Sequence, residues 1–518
     1  MTRVGRRPWL LGALAVLVVA GGLGDSLVGS GPGQAPLASV VRASTALAPV
    51  SAVSSSWYCA VATKPAAPAA SPPASPPTAQ PPPASGAGQG SARKAKATSS
   101  KSKPAASTGG ASGGAQGAVI ALANTGPSPV KGTVSVVGQS AVVTVAVSVP
   151  AHGKATLDES HLVTGADIAA TVVLDGGGVA VEQLLSYGEA VTVTPCSSRA
   201  STSWYFASGS TAGADQLLIS LYNPFPTSAV VDLSFATDQG AAAPSDYQGI
   251  VVPAQAQVVE SIGAHVQQRA LVATAVNVLD GRVVADEVQL GSTSSASGAT
   301  VAQGAPAPGR TWDLPAGLVA PGTVDRLDIY NPSSAAASVQ ISLALSFGST
   351  KPIQRSVPPG SVVEVVANDE PRVPHGELFG VEVSSTNGVG VVAERSFLDK
   401  APQPKQGLTY TVGGVPSRRW VLASGAPAGS SQQIVVVENP GAGPVPVTVT
   451  AMSGGAAEPA SILSGMMVRP GRPAIMPLSA AQLRLPLVVS AGGPVVVEQD
   501  IAGPGGHGVS SVLGEPAG

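Results

Sequence analysis

Tryptophan recurs at Trp204, Trp312 and Trp420 in steps of 108 residues, and this period constrains the fold more than any other feature of the sequence. The asparagine of an Asn-Pro pair keeps pace with it at Asn223, Asn331 and Asn439, always 19 residues after its tryptophan. An acidic residue closing a valine-rich run follows in the same order, at Asp286, Glu394 and Glu498. Three markers in one order, spaced by 108 residues except for 104 between Glu394 and Glu498, define an internal repeat, and about 100 residues is enough for each copy to own a hydrophobic core. A divergent copy precedes these three, marked by Trp57, Asn124 and Glu182. Its tryptophan and asparagine stand 67 residues apart because residues 64–116, almost all Pro, Ala, Ser, Gly and Thr, are inserted between them. Such a composition cannot bury a core. The second half of the insert carries Arg93, Lys94, Lys96, Lys101 and Lys103 with no acid nearby, which reads as a solvated segment or, functionally, as a weak, salt-sensitive attractor for anionic wall polymer or lipid headgroups.

Within each copy the apolar period is two. Leu327 and Ile329 alternate with Asp328 and Tyr330, and the same pattern returns at Ile219 and Leu221 and at Val435 and Val437. Copy two holds about seven such runs between Ser203 and Leu290, and the chain's 62 glycines and 47 prolines supply turns between them. No stretch reads as an amphipathic helix of useful length. The fold class expected is therefore all-β, with four tandem Ig-like β-sandwich modules strung as a rod: 51–196, 200–298, 308–404 and 416–512. The tryptophans are expected in the sandwich cores and the asparagines at turns. The acids are expected to serve the fold of their own copy, and Gly176-Gly177-Gly178 to form a hairpin turn.

Residues 1–8 are basic, with Arg3, Arg6 and Arg7, and lead into an uncharged apolar segment at 9–24 and a spacer-like linker at 25–50. This is an export signal, read either as a cleaved peptide or as a transmembrane anchor; the lack of a clean A-x-A site favours the anchor. Either way the rest of the chain is expected outside the cytoplasm, attached to the membrane through its N-terminal segment. Two cysteines, Cys59 and Cys196, flank the first module, and an even count in an exported chain predicts a disulfide between them.

Composition and spacing exclude several functions. A net charge of −2 and a pI near 6.2 leave no footprint for nucleic acid. His152, His161, His265, His375 and His507 are isolated, so no metal site is expected, and no Gly-x-Ser-x-Gly elbow is present. The repeated acids fall in separate modules, whereas a catalytic site needs different residues converging on one pocket. No catalytic residue and no cofactor are expected. All four repeat tryptophans are assigned to cores, which leaves scattered tyrosines, among them Tyr205, Tyr222, Tyr247, Tyr330 and Tyr410, as the remaining aromatic contacts. The expected function is a non-enzymatic structural or interaction component of the bacterial cell envelope, with a cell-wall polymer or an envelope protein as partner. The alternative is a cell-wall polysaccharide-binding or polysaccharide-assembly accessory protein.

The run from Ile329 through Tyr330-Asn331-Pro332, then Val357-Pro358-Pro359-Gly360-Ser361, Phe379 to Ser385, and Val391-Val392-Ala393-Glu394-Arg395 resembles the repeat of an uncharacterised actinobacterial family of exported, membrane-anchored proteins. The resemblance covers copies two to four, and copy one more weakly. It implies β-sandwich modules in a cell-envelope setting and carries no activity with it. Only copy three has the full Ala-Glu-Arg signature; copies two and four read Ala285-Asp286-Glu287 and Val497-Glu498-Gln499.

Overall fold

Every repeat builds two small antiparallel sheets. In the first module they are formed by β1 (Ser55–Ala62), β2 (Gly117–Asn124), β3 (Val130–Val137), β4 (Val142–Val149), β5 (Gly153–Asp158), β6 (Asp167–Leu174), β7 (Val179–Tyr187) and β8 (Ala190–Pro195). The outer sheet has the order β1-β6-β3-β4 and the inner sheet β5-β2-β7-β8. The computed structural model describes residues 45–62, 117–139, 141–163, 167–187, 190–293, 296–400, 407–427, 429–455, 457–504 and 508–517. The segments 1–8 and 9–24, the linker up to residue 44, and the insert 64–116 with its basic cluster lie outside the described residues. Among the described residues there is no α-helix, and none long and apolar enough to cross a membrane.

The two sheets differ in sequence because they differ in what covers them. On the outer edge, β4 alternates between exposed and half-buried positions. Central strands of the inner sheet, β2 and β7, are buried almost throughout, since one face meets the module's own core and the other meets the neighbouring module. The fourth module departs in one respect: a single 18-residue strand, Leu487–Pro504, runs through both of its sheets and joins them. Gly176 to Gly178 turn the chain between β6 and β7, and Gly178 takes φ +74, where a β-carbon would strike Val50.

Repeat markers occupy matching places. Trp57, Trp204, Trp312 and Trp420 are all buried, and Trp204, Trp312 and Trp420 donate their indole N–H to the carbonyls of Val283, Val391 and Val495 at 2.8, 2.7 and 2.8 Å. Asn124, Asn223, Asn331 and Asn439 are buried as well. Each accepts the N–H two residues on (Gly126, Phe225, Ser333, Gly441) and donates to the carbonyl four residues on (Ser128, Thr227, Ala335, Gly443). Asn331 also reaches the carbonyls of Val357 and Pro358, pinning its turn to the adjacent strand end. Replacing Asn331 by Ala should cost about 2 kcal/mol, because buried backbone acceptors lose their donor. Urea unfolding checks this, and a change near zero would remove the asparagine from the set of structural anchors.

The seven runs read in copy two all become strands, a short strand Gly240–Ala242 lies among them, and Ala296–Gln303 follows them. This last strand is the counterpart of β8. Its sequence, Ala-Ser-Gly-Ala-Thr-Val-Ala-Gln, has too few large apolar residues to show a period of two. The β8-type strands, completed by Gly407–Val412 and Val509–Leu513, pack against one another in cyclic order: first on second, second on third, third on fourth, and fourth on first. The modules lie in one compact unit, residues 42–518, and close on themselves as a ring. The expected rod is thereby corrected. An extended string leaves the doubly apolar inner sheets facing water, and closure covers them.

Candidate functional site

What the repetition builds is a set of junctions between modules. Three of the four acids reach back to backbone amides of the preceding module in the circle, three or four residues beyond that module's tryptophan. The Glu394 carboxylate accepts the N–H groups of Ala207 and Ser208 at 2.9 and 2.7 Å. Asp286 accepts the N–H of Ala60 at 3.2 Å. Glu182 closes the circle by accepting the N–H groups of Ala423 and Ser424 in the fourth module at 3.0 and 2.8 Å. The expectation that each acid serves its own copy is corrected accordingly. A carboxylate on the inner sheet points away from its own core, so the open backbone amides within its reach belong to the neighbour.

Glu498 makes no such backbone bond, and the residue three beyond Trp312 is Pro315, which lacks an N–H. Arg395 of the third module takes over and donates from Nη2 to Glu498 Oε1, with both side chains almost wholly buried. Asp500 lies 4.0 Å from the same guanidinium nitrogen. Burial works against the charge on Arg395, but Glu498, Asp325 and Asp500 outweigh it and hold the guanidinium protonated. One cation cannot neutralise three carboxyls. Burial pushes Glu498 up to about 8 with Arg395 opposing, and Asp325 up to about 6.

A second circle lies on the inner strands, where hydroxyls do the work of a backbone ladder. Thr192 Oγ1 accepts the Val301 N–H at 3.3 Å, Thr300 Oγ1 that of Tyr410 at 3.2 Å, and Thr409 Oγ1 that of Ser511 at 2.9 Å. Ser510 Oγ accepts the Val193 N–H at 2.9 Å and returns to the first module. All four hydroxyl residues are buried. Close approach of these strands explains the glycines beside them: a β-carbon on Gly407 would come within 2.6 Å of the Val509 nitrogen, and one on Gly508 within 2.9 Å of Ala190.

The junction between the second and third modules also encloses a cleft of about 240 Å³. Arg326 and Glu364 stand half-buried at its rim, 3.2 Å apart, and Lys400 also lines it. Deeper in, Asp328 Oδ2 accepts the hydroxyls of Ser208 and Ser396 at 2.8 and 3.1 Å, while its Oδ1 is buried with no partner in the protein. Burial pushes Asp328 up to about 7, with Glu364 adding to the shift.

Raised carboxyl values set a pH dependence. Asp325, Asp313, Asp328, Glu394 and Glu498 sit at about 6, 7, 7, 7 and 8, all through burial first, against an ordinary value near 4 in the unfolded chain. Between these limits the folded chain binds more protons, so the stability they contribute is fully present below pH about 4 and is lost as pH rises through about 6 to 8. Calorimetry should give a higher Tm at pH 5 than at pH 8. An equal or lower Tm at pH 5 would mean these junctions are not what limits stability.

The structure thus gathers Glu182, Asp286, Glu394 and Glu498 at four separate junctions rather than in one pocket, and leaves the tryptophans and asparagines inside the modules. No group of three or more His, Cys, Asp or Glu placed to hold a metal occurs among the described residues. Cys59 and Cys196 are joined in a disulfide, with Cα atoms 4.6 Å apart. Sequence reasoning missed Arg395 as a junction residue and missed the hydroxyls of the inner strands. A signal for the first was present: copies one, two and four have Ala60, Ala207 and Ala423 three residues after tryptophan, and the copy with proline there is the copy with arginine after its acid.

Residues 186–406 match the model of a family of unknown function, DUF5719. No curated protein matches the chain. Among solved structures, the protein titled "Crystal Structure of Thermotoga maritima 1070" is 24% identical, with a TM-score of 0.18, over 20% of this chain and 92% of that one. A tetra-tandem repeat in the extending region of a large adhesion protein is 11% identical, with a TM-score of 0.09, over 77% of this chain and 95% of that one. At these TM-scores neither likeness bears on fold or function.

Proposed function

We propose that the chain is a non-enzymatic structural or interaction component of the bacterial cell envelope, exported and tethered to the membrane by residues 9–24, with four Ig-like modules closed into a rigid platform. The observation that carries this reading is the fate of the repeated acids. In every copy the marker is spent on fastening one module to the next, which is what a scaffold requires of its repeats. The Cys59–Cys196 disulfide agrees with an oxidising compartment outside the cytoplasm. The Arg-flanked apolar segment supplies the route there.

A reporter fused after residue 50 should be active only outside the cytoplasm, with the full chain recovered in the membrane fraction and retaining cell-wall material or an envelope protein on pull-down. Reporter activity in the cytoplasm would end this proposal. The alternative, a polysaccharide-binding accessory protein, is favoured by one observation, the polar cleft between the second and third modules.

A further inference from the structure

We propose that the cleft between the second and third modules binds a single neutral sugar residue, with Asp328 and Arg326 holding its hydroxyls. Size sets the first limit. At about 240 Å³ the cleft lies below the range of sites for drug-sized ligands, so it admits one ring or a chain end and not a run of polymer. Charge sets the second. Arg326 and Lys400 line the cleft together with Asp328, Glu364 and Asp215, so an anion meets three carboxyls and a cation meets two basic groups. A hydroxyl, both donor and acceptor, suits either kind of neighbour, and adjacent hydroxyls of a sugar suit both at once.

The walls complete the match. Leu271, Leu398 and Leu408, with the ring of Tyr410, offer apolar surface for the C–H face of a pyranose. Asp328 is already oriented by Ser208 from one module and Ser396 from the other, so its position depends on the junction being closed. Its Oδ1 remains buried and unpartnered, and a ligand hydroxyl would supply the missing bond. None of the repeat tryptophans takes part, since all are enclosed in module cores. The site belongs to one junction only. The equivalent of Asp328 is Ala121 in the first module, Ser220 in the second and Val436 in the fourth, so the repetition that builds the ring does not build this cleft.

The test is titration of the purified full chain, followed by calorimetry and ligand-observed NMR, with the methyl glycosides of glucose, galactose, mannose and N-acetylglucosamine. Glucuronate serves as an anionic probe and glycine as a zwitterionic one. Saturable binding of at least one neutral glycoside is expected, weakened about tenfold or more by Asp328→Asn, which keeps the side-chain shape, and by Arg326→Gln at the rim. Thermal unfolding of each variant is recorded alongside, and if Asp328→Asn does not fold, Arg326→Gln alone decides. Failure of every neutral glycoside to saturate, tighter binding of glucuronate or glycine, or binding indifferent to the folded variants would each overturn the assignment. The outcome is independent of the reporter experiment, so a failure here leaves the envelope reading standing.

Discussion

Arg395→Ala should lower the unfolding free energy by about 3 to 5 kcal/mol at pH 8, because it leaves Glu498 and its neighbours Asp325 and Asp500 as buried carboxylates without a cation. The loss should shrink at pH 5. With the guanidinium gone, the folded-state values of the three carboxyls rise further above their unfolded ones, so staying ionised or taking up protons in the folded chain is costly at pH 8 and costs less at pH 5, nearer the unfolded values. The double variant Arg395→Leu/Glu498→Leu should recover much of the loss at pH 8, since a buried ion pair contributes little over apolar packing of similar volume. Urea unfolding at the two pH values measures all three quantities. A cost for Arg395→Ala that is the same at both pH values would show that the arginine acts by packing alone.

Removing the disulfide by Cys59→Ala/Cys196→Ala should cost about 5 kcal/mol in the chain-entropy treatment of a 137-residue span. In the other modules the same place is filled without a covalent bond. Phe206, Leu314 and Leu422 stand where Cys59 stands, opposite Gly304, Gly413 and Gly514; a β-carbon on Gly304 would come within 2.8 Å of the Phe206 ring, and one on Gly514 within 3.1 Å of Leu422. The staple is thus confined to the one module with an interrupted chain. Between Ala62 and Gly117 lie 54 residues, against nine between Phe206 and Gln216, and by loop-closure entropy the longer connection costs about 1.6 kcal/mol more. The bond more than offsets this. Native-state hydrogen exchange of the β1 amides should show the loss locally, and protection unchanged from the parent would refute it. Mass spectrometry under non-reducing conditions should find no free thiol.

Periodicity made a good deal of this legible before any coordinates. The alternation from Leu217 to Tyr222 became a strand, the Trp and Asn markers fell at matching buried places, and the all-β class followed from runs and turns alone. The strands at the centre of the ring escaped notice for a physical reason. Ala296–Gln303 packs against other modules through small side chains and fastens them through Thr300, so it carries none of the bulky alternation that announces a half-buried strand. The closure escaped because its contacts join residues far apart in the chain, such as Glu182 and Ala423, and no local pattern records which way such a carboxylate points. The cleft was equally hidden. Ser208, Asp328 and Ser396 are unremarkable in sequence and meet only when two modules dock.

The hydrogen bonds from Ala423 and Ser424 to Glu182, and from Val193 to Ser510, also fix how many modules the chain can hold. An open array tolerates loss or gain of a unit at its end, since each unit needs only its neighbours. A closed circuit does not. With the fourth module deleted, the first would present Glu182 and the third would present Arg395, each with its complement missing, and such mismatched ends complement those of another molecule. Copy number here is therefore a fixed quantity, and a three-module chain is expected to assemble head to tail into polymers rather than remain a smaller monomer.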